Sequence, residues 1–160
     1  MSERTRTLPV YPIAEVVPQT GPMRLIDRIC ACSDQAITVE VDITESSTFA
    51  DAEGVPAWIG LEYMAQGIAA LAGSRAKAQG RPVPVGFLVG TRALEAFTPR
   101  FALGSRLSIV AREQHLGSNG LGVYSCTIAL AGEPDKLLLR GDINVFVPAD
   151  FEQFSRGDAG

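Results

Sequence analysis

The stretch from Ala57 to Gly73 constrains this chain most, because it is the one long apolar run and yet it carries Glu62 and Gln66 inside it. At 17 residues it falls at the lower edge of membrane-spanning length. A carboxylate, a carboxamide and many Gly and Ala residues fit a buried helix of a water-soluble protein better than a lipid-facing one, so no membrane insertion is expected. Pro56 suits a first helical turn and Gly80 suits a stop, which predicts a helix from Pro56 to about Gln79. Gly60, Gly67, Ala70 and Gly73 are all small. Each interior glycine costs a helix about 1 kcal/mol against alanine, so a second backbone layer, such as a sheet, should lie close against this surface.

The flanking segments read as strands. Met23 to Cys32 and Gln35 to Ile43 form the first two, joined by a turn at Ser33-Asp34; Ile37, Val39, Val41 and Ile43 alternate with Thr38, Glu40 and Asp42. Four more cover Val85 to Phe97, with room for an interruption, Arg106 to Leu116, Leu121 to Ala131 and Lys136 to Val147. Ser118-Asn119-Gly120 and Gly132-Glu133-Pro134-Asp135 supply hairpin turns. The order predicts an α+β domain, one antiparallel sheet wrapped around a single long central helix. A lone helix cannot cover both faces of such a sheet, and a partner subunit could extend it edge to edge, so the chain is expected to be at least a dimer.

Composition narrows the function. With 160 residues, 46% hydrophobic and 20% charged, the chain is read as one domain over 1–160, with flexible ends at 1–8 and 155–160. Fourteen Lys and Arg against 18 Asp and Glu, scattered along the chain, argue against a nucleic-acid partner. Cys30, Cys32 and Cys126 lack the paired spacing of a zinc site and there is one histidine, so no metal is expected. These cysteines read as small strand residues with reduced thiols. The polar Met1 to Leu8 lacks a following apolar segment, which reads as a cytoplasmic protein without a secretory signal. Gly86 and Gly90 lack the rest of a nucleotide fingerprint, so no cofactor is assigned.

Three segments carry a family resemblance. Pro18-Gln19-Thr20-Gly21-Pro22 leads into Met23-Arg24-Leu25-Ile26-Asp27-Arg28, and Pro56-Ala57-Trp58-Ile59-Gly60-Leu61 leads into Glu62-Tyr63-Met64-Ala65-Gln66. The third is Gly86-Phe87-Leu88-Val89-Gly90, followed by Phe97-Thr98-Pro99-Arg100-Phe101 and Gly104-Ser105-Arg106-Leu107. Together they resemble the hotdog-fold β-hydroxyacyl-acyl-carrier-protein dehydratases of fatty acid and polyketide synthesis. Phe49 to Trp58 is similar, more narrowly, to a dehydratase-like branch of aryl polyene biosynthesis clusters.

The resemblance implies a substrate that is a thioester of an acyl carrier protein or coenzyme A, and a site built across a dimer interface. One subunit's histidine acts on the α-carbon, and the other's helix carboxylate handles the departing hydroxyl. Glu62 falls on the acid's position. Thr48 falls on the histidine's, and Gln19 replaces a second histidine in the opening motif. A threonine hydroxyl is no base at neutral pH without an activator, so the catalytic pair is incomplete. Thr48 could instead orient a water or the thioester carbonyl, or serve as ordinary loop chemistry beside Ser46 and Ser47. His115 lies late on a predicted strand beside a turn and reads as solvent-facing. Tyr63, Met64, Phe87 and Leu88 are candidates for an acyl tunnel, with Trp58 beside them, although each also suits a core or a packing anchor.

Three functions stay open: a dehydratase acting alone; a non-catalytic or half-site subunit, in a homodimer or paired with a histidine-bearing hotdog dehydratase; and a hotdog acyl thioesterase using Glu62 to activate water.

Overall fold

The computed structural model describes residues 5–148. In chain order the strands are β1 (Arg28–Cys32), β2 (Ala36–Asp42), β3 (Val55–Pro56), β4 (Phe87–Ala96), β5 (Arg100–Phe101), β6 (Arg106–Leu116), β7 (Leu121–Leu130) and β8 (Glu133–Phe146). One helix, α1 (Gly60–Ala78), lies between β3 and β4. Six strands form one sheet in the order β1-β2-β6-β7-β8-β4, antiparallel at every pairing, while β3 and β5 make a separate short pair.

Alternation places the core as the sequence predicts. Ile37, Val39 and Val41 of β2 are buried, as are Leu107 and Ile109 of β6, Ile128 of β7 and Ile143 of β8. Against them α1 packs Met64, Ile68 and Leu71, all buried, resting mainly on β6 and β2. Each such side chain contributes about 1.5–3 kcal/mol through removal from water.

The helix begins later than predicted. Pro56 is extended and pairs with Arg100, a 3-10 turn spans Ala57–Ile59, and only then does α1 start. Gly80, at φ +68°, ends it as expected. The close backbone neighbour of the small residues is not the sheet, which meets Gly60 and Gly67 through side chains. A methyl group on Gly73 would collide with the Val16 carbonyl, so the N-terminal segment makes the closest approach; Gly67 meets only the Ile109 and Val39 side chains at 3.7 Å.

Two further differences have local causes. The first strand begins at Arg28, because the Leu25 N–H and the Met23 carbonyl are taken by the Gln66 side chain and are lost to the ladder. Residues 6–8 are tied to the end of β1 rather than loose: the Leu8 N–H donates to the Cys32 carbonyl at 3.0 Å, and Leu8 is buried. The rest of the expected flexible ends, apart from exposed Thr5, lies outside the described residues.

The sheet's edges are unlike. That N-terminal segment covers one end of β1, whereas β4 leaves Phe87, Leu88, Val89 and Leu94 exposed.

Candidate active site

Glu62 stands in the first turn of α1, where the helix N-terminus favours a negative charge, and is half-buried. One turn on, Gln66 is fully buried and makes three hydrogen bonds. Its Nε2 donates to Glu62 Oε1 at 3.1 Å and to the Met23 carbonyl at 2.8 Å, and its Oε1 accepts the Leu25 N–H at 2.8 Å. The i, i+4 spacing puts both side chains on one helix face. Gln66 thereby orients the carboxylate and fixes the segment that crosses the helix start.

Beside Glu62 runs a narrow apolar channel of about 140 Å3. Ala65, Ala69 and Ala72 continue the Glu62 face of the helix and leave it open, and Phe87 and Leu88 of β4 form part of the opposite wall. Gln19 also lines it. Neither Gln19 nor Gln66 was assigned a role from sequence; the signal was an alanine face at helical spacing beginning with an acid.

A second, wider cleft of about 590 Å3 holds Thr48, Tyr63, Asp27, Arg28 and Asp42. Several polar groups here are already paired. Thr48 Oγ1 donates to the Pro22 carbonyl at 3.1 Å, and Arg28 reaches Glu40 at 2.8 Å and Asp42 at 3.1 Å. Arg106 binds Asp42 at 2.8 Å. Hydrogen bonds from Arg28 and then Arg106 hold the Asp42 carboxyl below its ordinary range. Burial, with Asp27's charge adding, pushes the Tyr63 hydroxyl up to about 12, so it stays a neutral phenol.

The sequence-predicted residues therefore divide. Glu62, Phe87 and Leu88 meet in the channel; Thr48 and Tyr63 face the wider cleft. Met64 is wholly buried in the core. Trp58 is 69% exposed and sits 6.1 Å from the Phe49 ring. His115 is exposed late on β6 and lines neither cavity. Burial pushes the Cys126 thiol up to about 12 and raises Cys32, which leaves neither poised as a nucleophile. Among the described residues no group of three metal-ligating side chains comes together, and no helix is long and apolar enough to cross a membrane.

One long central helix packed on an antiparallel sheet, with a carboxylate at the helix start beside an apolar channel, defines a hotdog-fold protein. Solved structures agree on the fold. A hypothetical thioesterase with coenzyme A from Streptococcus pneumoniae is 14% identical, with 75% of this chain and 84% of that one covered and a TM-score of 0.59. The PaaI protein of the phenylacetic acid degradation operon of E. coli is 16% identical over 76% and 78%, at 0.58. More similar is the dehydratase heterocomplex ApeI:P from Xenorhabdus doucetiae, at 25% identity over 92% of this chain and 98% of that one, with a TM-score of 0.81. Residues 11–156 match the ApeP-like family, described as ApeP dehydratase, and the chain belongs to it. No curated protein matches the sequence.

Proposed function

We propose that this chain supplies the acid half of a two-subunit dehydratase acting on 3-hydroxyacyl thioesters of a carrier protein in aryl polyene synthesis, with a histidine-bearing hotdog relative supplying the base. The observation that carries this reading is Glu62, a carboxylate oriented by Gln66 at a channel that no imidazole among the described residues lines. Elimination of water needs two groups. A base removes the α-proton, that electron pair forms the carbon–carbon double bond, the C–O bond breaks, and an acid protonates the departing hydroxyl to give water and a 2-enoyl thioester. Glu62 is the acid in this scheme.

Three features support a mixed dimer over a homodimer. Thr48 already donates its hydroxyl to the Pro22 carbonyl and has no basic group of its own, so two copies of this chain would make two sites without a base. Phe87 and Leu88 belong both to the channel wall and to the exposed strand β4, so a subunit added at that edge would reach the channel. The related ApeI:P structure is itself a heterocomplex.

The test is to co-purify the chain with a histidine-bearing hotdog dehydratase, supply a 3-hydroxyacyl carrier-protein thioester and follow loss of water by mass spectrometry. Turnover is expected from the mixed assembly and not from this chain alone, with Glu62→Gln lowering it at least about 100-fold. Unchanged turnover with Glu62→Gln in the mixed assembly would sink the reading. Thioester hydrolysis by the chain alone, lost with Glu62→Ala, would replace it with a thioesterase.

A further inference from the structure

Two aromatic rings lie in the open just ahead of Glu62. Trp58 is 69% exposed, Phe49 is 59% exposed, and their ring centroids stand 6.1 Å apart. Phe49 is held at φ +68°, a left-handed conformation that a bulky side chain rarely adopts. The loop that holds it is tied down, because Arg100 reaches Asp51 at 2.7 Å and Glu53 at 3.2 Å. Left in water, this arrangement carries backbone strain and keeps apolar surface wet. Both are explained if another surface covers the pair.

Position decides what covers it. Trp58 precedes Glu62 by four residues, across a 3-10 turn that runs directly into α1, so the two side chains leave the same side of the helical segment about 6 Å apart. Their neighbours Ile59, Gly60, Tyr63 and Met64 are buried on the other side. The Ala57 N–H donates to the Pro99 carbonyl at 3.0 Å, which joins the pair to the end of β4, two residues beyond exposed Phe97. The patch therefore bridges the two places that the proposed partner has to reach, the β4 edge and the Glu62 end of the channel. At these exposures the two rings leave roughly 200–300 Å2 open, a quarter or more of the ~800 Å2 that each partner contributes to a standard interface. Asp51, Glu53 and Arg100 give it a charged border, the usual setting of an interface centre. We infer that Phe49 and Trp58 are an anchor on which the histidine-bearing relative docks, an inference that rests on the mixed assembly proposed above. Held here as well as along β4, the partner keeps its base in register with Glu62.

The test uses the full chain with the histidine-bearing hotdog dehydratase of the turnover assay, reading the dissociation constant of the mixed assembly by biolayer interferometry and the Tm of the chain alone by calorimetry. Trp58→Ser should weaken assembly at least about 30-fold, the loss expected of a tryptophan at the centre of an interface. It should move the Tm of the chain alone by less than about 2 °C, because the ring is exposed there. Phe49→Gly suits the left-handed backbone, so it should weaken assembly about tenfold without lowering that Tm. Assembly of unaltered strength in both variants, or a fall of more than about 5 °C in the Tm of both, would overturn the inference. Unaltered assembly with a raised KM for the carrier-protein thioester would place the carrier on the pair and overturn it equally. If the unaltered chain does not join the relative at all, the proposed mixed dehydratase falls first and takes the anchor with it; if it joins and turns over while both variants assemble as tightly, that reading stands and the anchor alone falls.

Discussion

Glu62 and Tyr63 are neighbours in sequence and yet serve cavities of opposite character. Tyr63 faces a wide cleft in which Arg28 is paired with Glu40 and Asp42, and Thr48 with the Pro22 carbonyl. Glu62 faces a narrow channel whose lining, among the described residues, is apolar apart from Glu62 itself and Gln19, and its carboxylate is oriented by the Gln66 amide. A cavity whose polar groups are already satisfied gains little by binding anything. A carboxylate among apolar walls has something to offer a ligand.

The sharpest way to break this contrast is to remove one polar group from each cavity in the mixed assembly. Glu62→Gln should lower dehydration at least about 100-fold, the ordinary worth of a positioned acid. Thr48→Val, which deletes only the bond to Pro22, should change turnover less than about threefold, because that one loop contact is worth roughly 0.5–1.5 kcal/mol to stability. Comparable losses in both variants, measured by mass spectrometry of the acyl carrier, would mean that the wider cleft takes part in the reaction.

Gln66 holds the segment that contributes to both cavities, since Pro18 and Gln19 line one and Pro22 and Arg24 the other. Gln66→Leu leaves the Leu25 N–H and the Met23 carbonyl without partners. The expected loss is about 2–3 kcal/mol, seen as a fall in Tm of roughly 4–12 °C. Turnover should fall as well, because Glu62 loses its orienting donor. A Gln66→Leu protein with unchanged Tm would show that packing alone separates the two cavities.

What was legible in the sequence follows the same divide. Period-two alternation in β2 and the turn residues between β6 and β7 place the strands, because burial on one face leaves a local trace. Glu62 stood out because it interrupts an apolar run, and its relation to Phe87 and Leu88 followed from the resemblance. The start of the first strand differs from the sequence pattern because a side chain 41 residues away competes for the Leu25 N–H, a contact that no local pattern announces. Gln19 was equally silent. That its oxygen is buried without a donor depends on surroundings that only the assembled fold displays.

The smallest expected effect sharpens the claim that the wider cleft is internally balanced. Bonds from Arg28 and Arg106 depress the Asp42 carboxyl in the folded chain, so Asp42 favours folding above its unfolded pKa of about 3.9 and loses that contribution as pH falls through the depressed folded value. The carboxylate is 37% exposed, so solvent screening holds the effect to less than about 1 kcal/mol. Urea unfolding between pH 6 and pH 2 should therefore show a shallow acid limb that Asp42→Asn reduces. At pH 6 the variant should be slightly less stable, because Arg28 and Arg106 lose a charged partner. At the acid end the two curves should converge, since protonation has by then removed the same charge from the unaltered protein. Curves that stay parallel over the whole range would mean that the arginines draw their compensation from Glu40 or from solvent. The balance of that cleft would then not depend on Asp42.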